Sequence, residues 1–119
     1  MDKKALSERD ICTKFITPAI EASGWDRATQ FLEEVNLTSG RIVVRGNKAK
    51  RDEKTIRRAD YVLYFKPGIP IAIVEAKDNT HSVRAGIQQA LAYAEMLDVP
   101  FAFSSNGDGF LGIKGVRVV

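Results

Sequence analysis

The sequence predicts an α/β domain in which helices flank a central mixed β-sheet of about four or five strands. Three patterns support this prediction: a capped amphipathic helix near the amino terminus, a β-hairpin in the middle of the chain, and a second amphipathic helix followed by a short strand. The 119 residues provide enough material for one hydrophobic core, so we assign residues 1–119 to a single domain.

The first helix is predicted to begin after Ser7, because Ser7-Glu8-Arg9-Asp10 has the form of a capping box and an apolar stripe at helical spacing follows it. Pro18 should bend or interrupt this helix, and Gly24 should end it. We interpret Trp25, which follows in a loop, as a core residue.

The middle of the chain has the composition of β-strands. Residues 30–37 and 41–44 are predicted to form the first two strands, with a polar loop from Gly46 to Arg57 after them. Residues 59–65 are rich in aromatic and β-branched side chains, and residues 70–77 form a nearly continuous apolar run. Because Lys66-Pro67-Gly68 between them is typical of a turn, these two strands should form a hairpin.

A second helix is predicted from Ser82 to Leu97, where apolar residues again repeat at helical spacing. Phe101-Ala102-Phe103 should form a short strand parallel to an earlier one, because a helix crosses over between them. The segment from Gly107 to Gly112 matches a dinucleotide-binding fingerprint by its letters alone. Too few residues follow it for the helix that such a site requires, so we discard that interpretation.

Basic residues are unevenly distributed along the chain. Eighteen Lys and Arg residues against fifteen Asp and Glu give a net charge of +3. Many of the basic residues fall in one stretch of the sequence: Arg41, Arg45, Lys48, Lys50, Arg51, Lys54, Arg57 and Arg58. We predict that Lys48, Lys50 and Arg51 in this stretch contact DNA phosphates; the alternative is a solvated basic loop.

The composition also restricts the kinds of metal site. With one cysteine and one histidine, the chain cannot form an intramolecular disulfide, a multi-cysteine zinc site or a histidine-rich site. A metal would therefore be held by carboxylates, which favours a hard cation such as Mg²⁺. No apolar run approaches the roughly 18 residues needed to span a bilayer, and no signal peptide is recognisable, so we expect a cytoplasmic protein without a membrane partner.

Charged residues stand at the open end of the otherwise apolar hairpin. Asp60 lies at the entry to its first strand, and Glu75-Ala76-Lys77 closes its second. Alternation along a strand places Glu75 and Lys77 on one face and leaves the Ala76 backbone carbonyl available as an oxygen ligand. Two converging carboxylates repel each other unless a cation binds them, and Lys77 could then orient or deprotonate a water molecule. The alternative is an ordinary charge pair at a strand end.

Several segments together resemble a known family: Arg58-Ala59-Asp60-Tyr61-Val62-Leu63, Pro70-Ile71-Ala72-Ile73-Val74-Glu75-Ala76-Lys77 and Gln89-Ala90-Leu91-Ala92-Tyr93-Ala94. They resemble the N-terminal nuclease domain of the restriction (R) subunit of type I restriction–modification enzymes, which belongs to the PD-(D/E)XK nuclease superfamily. The resemblance extends from Leu6 to Phe110. It implies a restriction-endonuclease-like fold and an Mg²⁺-dependent endonuclease that cleaves double-stranded DNA.

The resemblance also implies roles for individual residues. Asp60 and Glu75 would bind Mg²⁺, for which Mn²⁺ can substitute, and Lys77 would be catalytic. Gln89 and Tyr93 would form a QxxxY element that positions DNA or supports the active site, in agreement with their place on one helix face. Glu8 is an additional candidate metal ligand, because many members of the superfamily place a carboxylate on the first helix. The alternative for Glu8 is a first-turn acid that complements the helix dipole.

In the family, modification and specificity subunits are the partners, and the R subunit continues into an ATP-dependent translocase. This chain contains no Walker A sequence and therefore no ATP site of that kind. Residues 111–119 depart from the family's continuation, which suggests a truncation. Two other functions stay open at this point: a standalone or repair nuclease of the same superfamily, and a non-catalytic DNA-binding relic.

Overall fold

A computed structural model of the chain describes residues 2–38, 41–42 and 57–114. These residues form a mixed β-sheet whose strands lie in the order β2-β1-β3-β4-β5-β6. The strands are β1 (Phe31–Thr38), β2 (Arg41–Ile42), β3 (Arg57–Lys66), β4 (Ile69–Ala76), β5 (Phe101–Ser105) and β6 (Phe110–Lys114). Only β4 and β5 are parallel; the other described neighbours are antiparallel. The predicted α/β architecture is confirmed, with β6 as a strand that the sequence analysis did not predict.

The amino-terminal helix has three parts: α1 (Glu8–Ile11), a π-helical turn (Cys12–Ile16) and α2 (Thr17–Ala22). The Ser7 hydroxyl caps α1 by accepting a hydrogen bond from the Asp10 backbone N–H at 3.1 Å. Pro18, which has no backbone N–H to donate, stands just after the widened turn, so the helix changes its hydrogen-bond pattern where the sequence predicted an interruption. Gly24 then ends the helix with φ of 104°, as predicted.

The hairpin of β3 and β4 is confirmed, with its turn at Pro67-Gly68. The helix after it, α3 (Ile87–Leu97), begins later than the predicted start at Ser82. Residues 83–86 form turns instead, and the Gly86 N–H donates to the Ser104 hydroxyl of β5 at 3.0 Å. This contact with the sheet, rather than helical propensity, decides where α3 begins.

Two buried clusters lie on the two faces of the sheet. The cluster beneath α3 contains Val35, Leu37, Ala59, Val62, Ile73, Ala90, Tyr93, Ala94, Val99 and Ala102. The cluster beneath α1 and α2 contains Ile11, Cys12, Ile16, Ile20, Phe31, Tyr61, Leu63, Ala72, Val74 and Ala76. Trp25 packs half-buried against the second cluster, as its interpretation as a core residue requires.

Part of the predicted basic stretch falls on residues 43–56, including Lys48, Lys50 and Arg51, and lies outside the described residues. The predicted strand at residues 41–44 is observed for its first two residues, which form β2. In the described part of the chain, no helix is long and apolar enough to cross a membrane.

Candidate metal centre

Asp60 and Glu75 meet at the open end of the β3–β4 hairpin. The Glu75 carboxylate accepts a hydrogen bond from the Asp60 backbone N–H at 2.8 Å, and the Asp60 carboxylate accepts one from the Ala76 backbone N–H, also at 2.8 Å. Each side chain therefore binds the backbone of the other strand where the regular ladder ends, one pair beyond Tyr61 and Val74. The structure thus brings together the two carboxylates that the sequence predicted as ligands.

Burial makes this pair of acids unfavourable in its fully ionised form. Glu75 is 3% exposed. Desolvation, followed by the charge of Asp60, raises the pKa of Glu75 to about 9. Desolvation also raises the pKa of Asp60, although the hydrogen bonds from the Ala76 N–H and from Glu75 oppose that change. In the metal-free protein the raised pKa therefore favours the protonated form of Glu75 near neutral pH, which can donate a hydrogen bond to Asp60.

Strands β1 and β3 each exchange the two faces of the sheet beside Asp60. At this point the Asp60 carboxylate is directed toward β4. In β3, Ala59 packs beneath α3, whereas Tyr61 packs beneath α1 and α2. In β1, Phe31 packs beneath α1 and α2, whereas Val35 packs beneath α3. A regular strand would place each of these pairs on one face, because their members are separated by an even number of residues.

The exchange in β1 occurs at Glu34, which has φ of 53°. Glu33 pairs with Tyr61 and Val35 pairs with Ala59, so Glu34 lies directly across from Asp60. A left-handed backbone is unusual for a residue with a Cβ atom. Strict alternation therefore fails in β1 and β3 beside Asp60, whereas β4, to which the sequence-based prediction of a shared face applied, alternates regularly through Ala76. The local break lets the Asp60 carboxylate reach the backbone of β4 instead of pointing into either core.

Glu8 lies within electrostatic range of the pair, and Lys77 lies within electrostatic range of Glu8. Glu8, on α1, has a pKa raised by burial and by the charge of Asp60, and lowered by the charge of Lys77. Lys77 itself is half-buried just beyond the end of β4, where its backbone N–H donates to the Ser105 carbonyl at 2.9 Å. Glu8 thus feels the charges of Asp60 and of Lys77, and the roles expected for Glu8 and Lys77 stay predictions.

The predicted QxxxY pair on α3 is also next to the site. The Gln89 amide donates to the Tyr93 hydroxyl at 2.7 Å. Burial raises the pKa of Tyr93, and the negative charges of Glu75 and Asp60 raise it further. Gln89 is exposed while Tyr93 is buried, so the pair reaches from the surface of α3 toward the carboxylates.

Gly86 and Ser104 help to form the site and were not predicted. A Cβ atom on Gly86 would lie 3.0 Å from the Ser104 hydroxyl and 3.5 Å from the Glu75 Cβ. The start of α3 therefore packs directly on the backbone that carries Glu75. The sequence signal was a glycine inside a helical pattern, which usually marks close packing or a helix end.

A buried amide pair supports the loops beyond β4 and β5. Asn79 donates to the Asn106 carbonyl at 2.8 Å, and the Asn106 amide donates to the His81 carbonyl at 2.6 Å. The His81 ring is exposed and pairs with Asp78 at 2.9 Å. These contacts fix the loop that follows Lys77, and sequence reasoning missed both asparagines.

The donor set fits a hard cation held by few protein ligands. Within residues 2–38, 41–42 and 57–114, no three His, Cys, Asp or Glu side chains gather closely enough to hold a metal ion by themselves. The candidate donors are the Asp60 and Glu75 carboxylates with the Ala76 carbonyl, and Glu8 lies farther out. Mg²⁺ suits such a set, because it keeps several waters and needs only one or two carboxylates.

A sequence model of the family described as "Type I restriction enzyme R protein N terminus" matches residues 42–114, which is more than half of the chain. The chain belongs to this family. It is 53% identical over 106 residues to the type I restriction enzyme EcoAI endonuclease subunit of Escherichia coli. That match covers 89% of this chain and 13% of the relative.

A solved structure has the same fold. It is a fragment from Vibrio vulnificus YJ016, described as an HsdR subunit of a type I restriction enzyme, with a TM-score of 0.75 and 40% identity. The match covers 92% of this chain and 21% of that one. This chain therefore has the restriction-endonuclease-like fold of the N-terminal region of R subunits, and it spans a small part of the length of the relatives that it matches.

Proposed function

We propose that this chain is the Mg²⁺-dependent endonuclease domain of a type I R subunit, and that it hydrolyses phosphodiester bonds of double-stranded DNA. The observation that carries the proposal is the Asp60–Glu75 pair at the open end of the hairpin, in which Glu75 is buried and Asp60 half-buried, with Lys77 two residues after Glu75 in the chain. A buried acid with a strongly perturbed pKa beside a charge partner is typical of functional sites, and family membership makes DNA the substrate to test.

Asp60, Glu75 and the Ala76 carbonyl would hold Mg²⁺, with Mn²⁺ as a substitute. Mg²⁺ bound there would supply Lewis-acid stabilisation of the negative charge that develops on the phosphoryl group. The two carboxylates contribute by binding at fixed positions, because each is already anchored to the backbone of the opposite strand. Glu8 adds negative charge at the edge of the site.

Lys77 acts on the water or on the phosphate. Its amino group would orient the attacking water, accept its proton when neutral, or, as an ammonium, stabilise charge on the phosphate. Gln89 and Tyr93 support the site from α3, with the Gln89 amide exposed toward the surface where DNA would lie.

In the complete enzyme, modification and specificity subunits would provide target recognition, and a motor elsewhere in the R subunit would provide translocation. The cytoplasm is the proposed location, since that is where such a complex would meet incoming DNA. These proposals concern the whole protein, of which this chain resembles only one region.

A plasmid-nicking assay with Mg²⁺ tests the assignment. Lys77→Ala should lower the cleavage rate by at least about 100-fold, the usual contribution of a positioned acid–base group, and Glu75→Ala should also lower it strongly because it removes a metal ligand. Lys66→Ala is the matched control, because Lys66 is an exposed lysine at the other end of the same hairpin. Cleavage that survives both site substitutions would refute the site. A wild type that binds DNA in a salt-sensitive way without cutting it would favour a non-catalytic relic.

A further inference from the structure

Glu34 holds an unfavourable backbone conformation directly across from Asp60. Its φ of 53° marks the place where β1 exchanges faces, and β3 exchanges faces at Asp60 opposite it. Left-handed backbone at a residue that is not Gly, Asn or Asp persists only where surrounding contacts hold it. The contacts that hold Glu34 are therefore candidates for setting the position of Asp60.

Those contacts are ion pairs with two arginines. Arg9 of α1 pairs through one guanidinium nitrogen with Glu34 and through the other with Glu33 at 3.2 Å. Arg58 of β3 approaches the second Glu34 oxygen at 3.6 Å. Arg9 thus ties α1 to β1 at the face exchange, and it follows directly after Glu8 in the sequence.

We propose that Arg9 is a positioning residue for the metal centre, which acts by holding Glu34 in its left-handed conformation and thereby directing Asp60 toward β4. This inference rests on the proposed function. Arg9 itself would touch neither the metal nor the DNA phosphate that is cut. Its role is to maintain the break in alternation without which the Asp60 carboxylate would follow its strand into one of the two cores.

The charge of Arg9 and its positioning role predict opposite changes in the affinity for a divalent cation. The charge of Arg9 lowers the pKa of Asp60. If Arg9 acted only through its charge, its removal would leave the site more negative and would tighten the binding of a divalent cation. A positioning role predicts the reverse, because a misdirected Asp60 loses contact with the metal.

The experiment measures Mn²⁺ binding to the 119-residue chain by titration calorimetry and by the paramagnetic resonance of free Mn²⁺. Arg9→Gln should weaken Mn²⁺ binding by about tenfold, the low end for residues that orient metal ligands. Arg27→Gln is the matched control, since Arg27 also pairs with Glu33 and with Glu21 but is not next to Asp60. Its Mn²⁺ affinity should equal that of the wild type.

A glycine substitution tests the route through Glu34. Glu34→Gly adopts a left-handed backbone freely, so Arg9→Gln added to Glu34→Gly should no longer weaken Mn²⁺ binding. Circular dichroism spectra would verify that each variant is folded.

Tighter or unchanged binding in Arg9→Gln, or equal weakening in Arg27→Gln, would overturn the positioning role. A tenfold loss that persists in the Glu34→Gly background would overturn the route through Glu34. Absence of Mn²⁺ binding by the wild type would instead refute the proposed metal centre, and the positioning role with it.

Discussion

At the scale of single residues, the two candidate ligands lower the stability of the fold that carries them. Glu75 is buried beside Asp60, and its pKa is raised to about 9, first by desolvation and then by the charge of Asp60. When an acid has a higher pKa in the folded protein than in the unfolded chain, the folded state is most stable at pH values below the unfolded pKa, where the acid is protonated in both states. This stabilisation is lost as the pH rises from the unfolded value of 4.5 toward 9.

We therefore predict that Glu75→Gln raises the midpoint of thermal unfolding in metal-free buffer at pH 8.5 by several degrees. Gln can still accept from the Asp60 N–H and donate to the Asp60 carboxylate, as the protonated acid does, without a charge to desolvate. At pH 5, where Glu75 is protonated in the folded state, wild type and variant should unfold at similar temperatures. Unfolding followed by circular dichroism at the two pH values checks this; equal midpoints at pH 8.5 would contradict the assignment of the raised pKa.

Metal binding should reverse the order of stability. Mg²⁺ at pH 8.5 should raise the midpoint of the wild type more than that of Glu75→Gln, because the ionised carboxylate is the better ligand and binding to the folded state alone adds stability. The same titration at pH 6 should stabilise the wild type less, since Glu75 must then release its proton. A wild type that Mg²⁺ stabilises equally at both pH values would argue against Glu75 as a ligand.

At the scale of elements, the position of α3 depends on one glycine. Gly86 sits where the helix meets β4 and β5, its N–H donates to the Ser104 hydroxyl, and a Cβ atom there would lie 3.0 Å from that hydroxyl, so that Ser104 would have to shift. The helix then carries Tyr93 into the core and Gln89 to the edge of the site. The contact between Gly86 and Ser104 therefore affects both the packing of α3 and the position of Gln89 and Tyr93.

We predict that Gly86→Ala lowers the free energy of unfolding by about 1–3 kcal/mol, the usual cost of overpacking, and lowers the cleavage rate. The added methyl group would press on Ser104 and on Glu75. Gly109→Ala is the control, because nothing lies within 4 Å of a Cβ atom there. Its free energy of unfolding should stay within about 0.5 kcal/mol of the wild type. Urea denaturation measures both, and equal stability of the two variants would refute the contact.

At the scale of the whole molecule, the candidate site lies where the parallel strands β4 and β5 both end. Ala76 and Ser105 are paired at the ends of these strands, and the loops that follow are joined by the Asn79–Asn106 contact. The crevice beyond the carboxyl ends of parallel strands is a usual place for ligands in α/β folds. Arg57 and Arg58, the last two residues of the basic stretch, begin β3 at the same end of the sheet.

We predict that neutralising Lys48, Lys50 and Arg51 with Gln weakens DNA binding and reduces the salt dependence of the binding constant. Each lost phosphate contact should lower the logarithmic slope by about 0.9. A control with Lys14, Lys66 and Lys114 replaced by Gln changes the net charge equally at exposed positions away from the site. Filter binding at several salt concentrations measures both slopes, and equal slopes for the two triple variants would place the DNA elsewhere.

The sequence by itself determined the local elements and the identity of the acids. Capping at Ser7, the Pro67-Gly68 turn and the apolar run of β4 depend on neighbouring residues, so they were predictable from the chain alone. Asp60, Glu75 and Lys77 could be selected because charges are costly in such apolar surroundings and because their segments resemble a family.

Only the tertiary structure decided how those acids are arranged. The face exchange at Glu34 and Asp60, the late start of α3 at Gly86 and the addition of β6 all depend on contacts between distant segments. Alternation and helical periodicity assume a regular backbone, and they fail where contacts between distant segments, such as the packing of Gly86 on Ser104, accompany another conformation. The geometry of the candidate site depends on such places, because Asp60 and Glu75 come from different strands that only folding brings together.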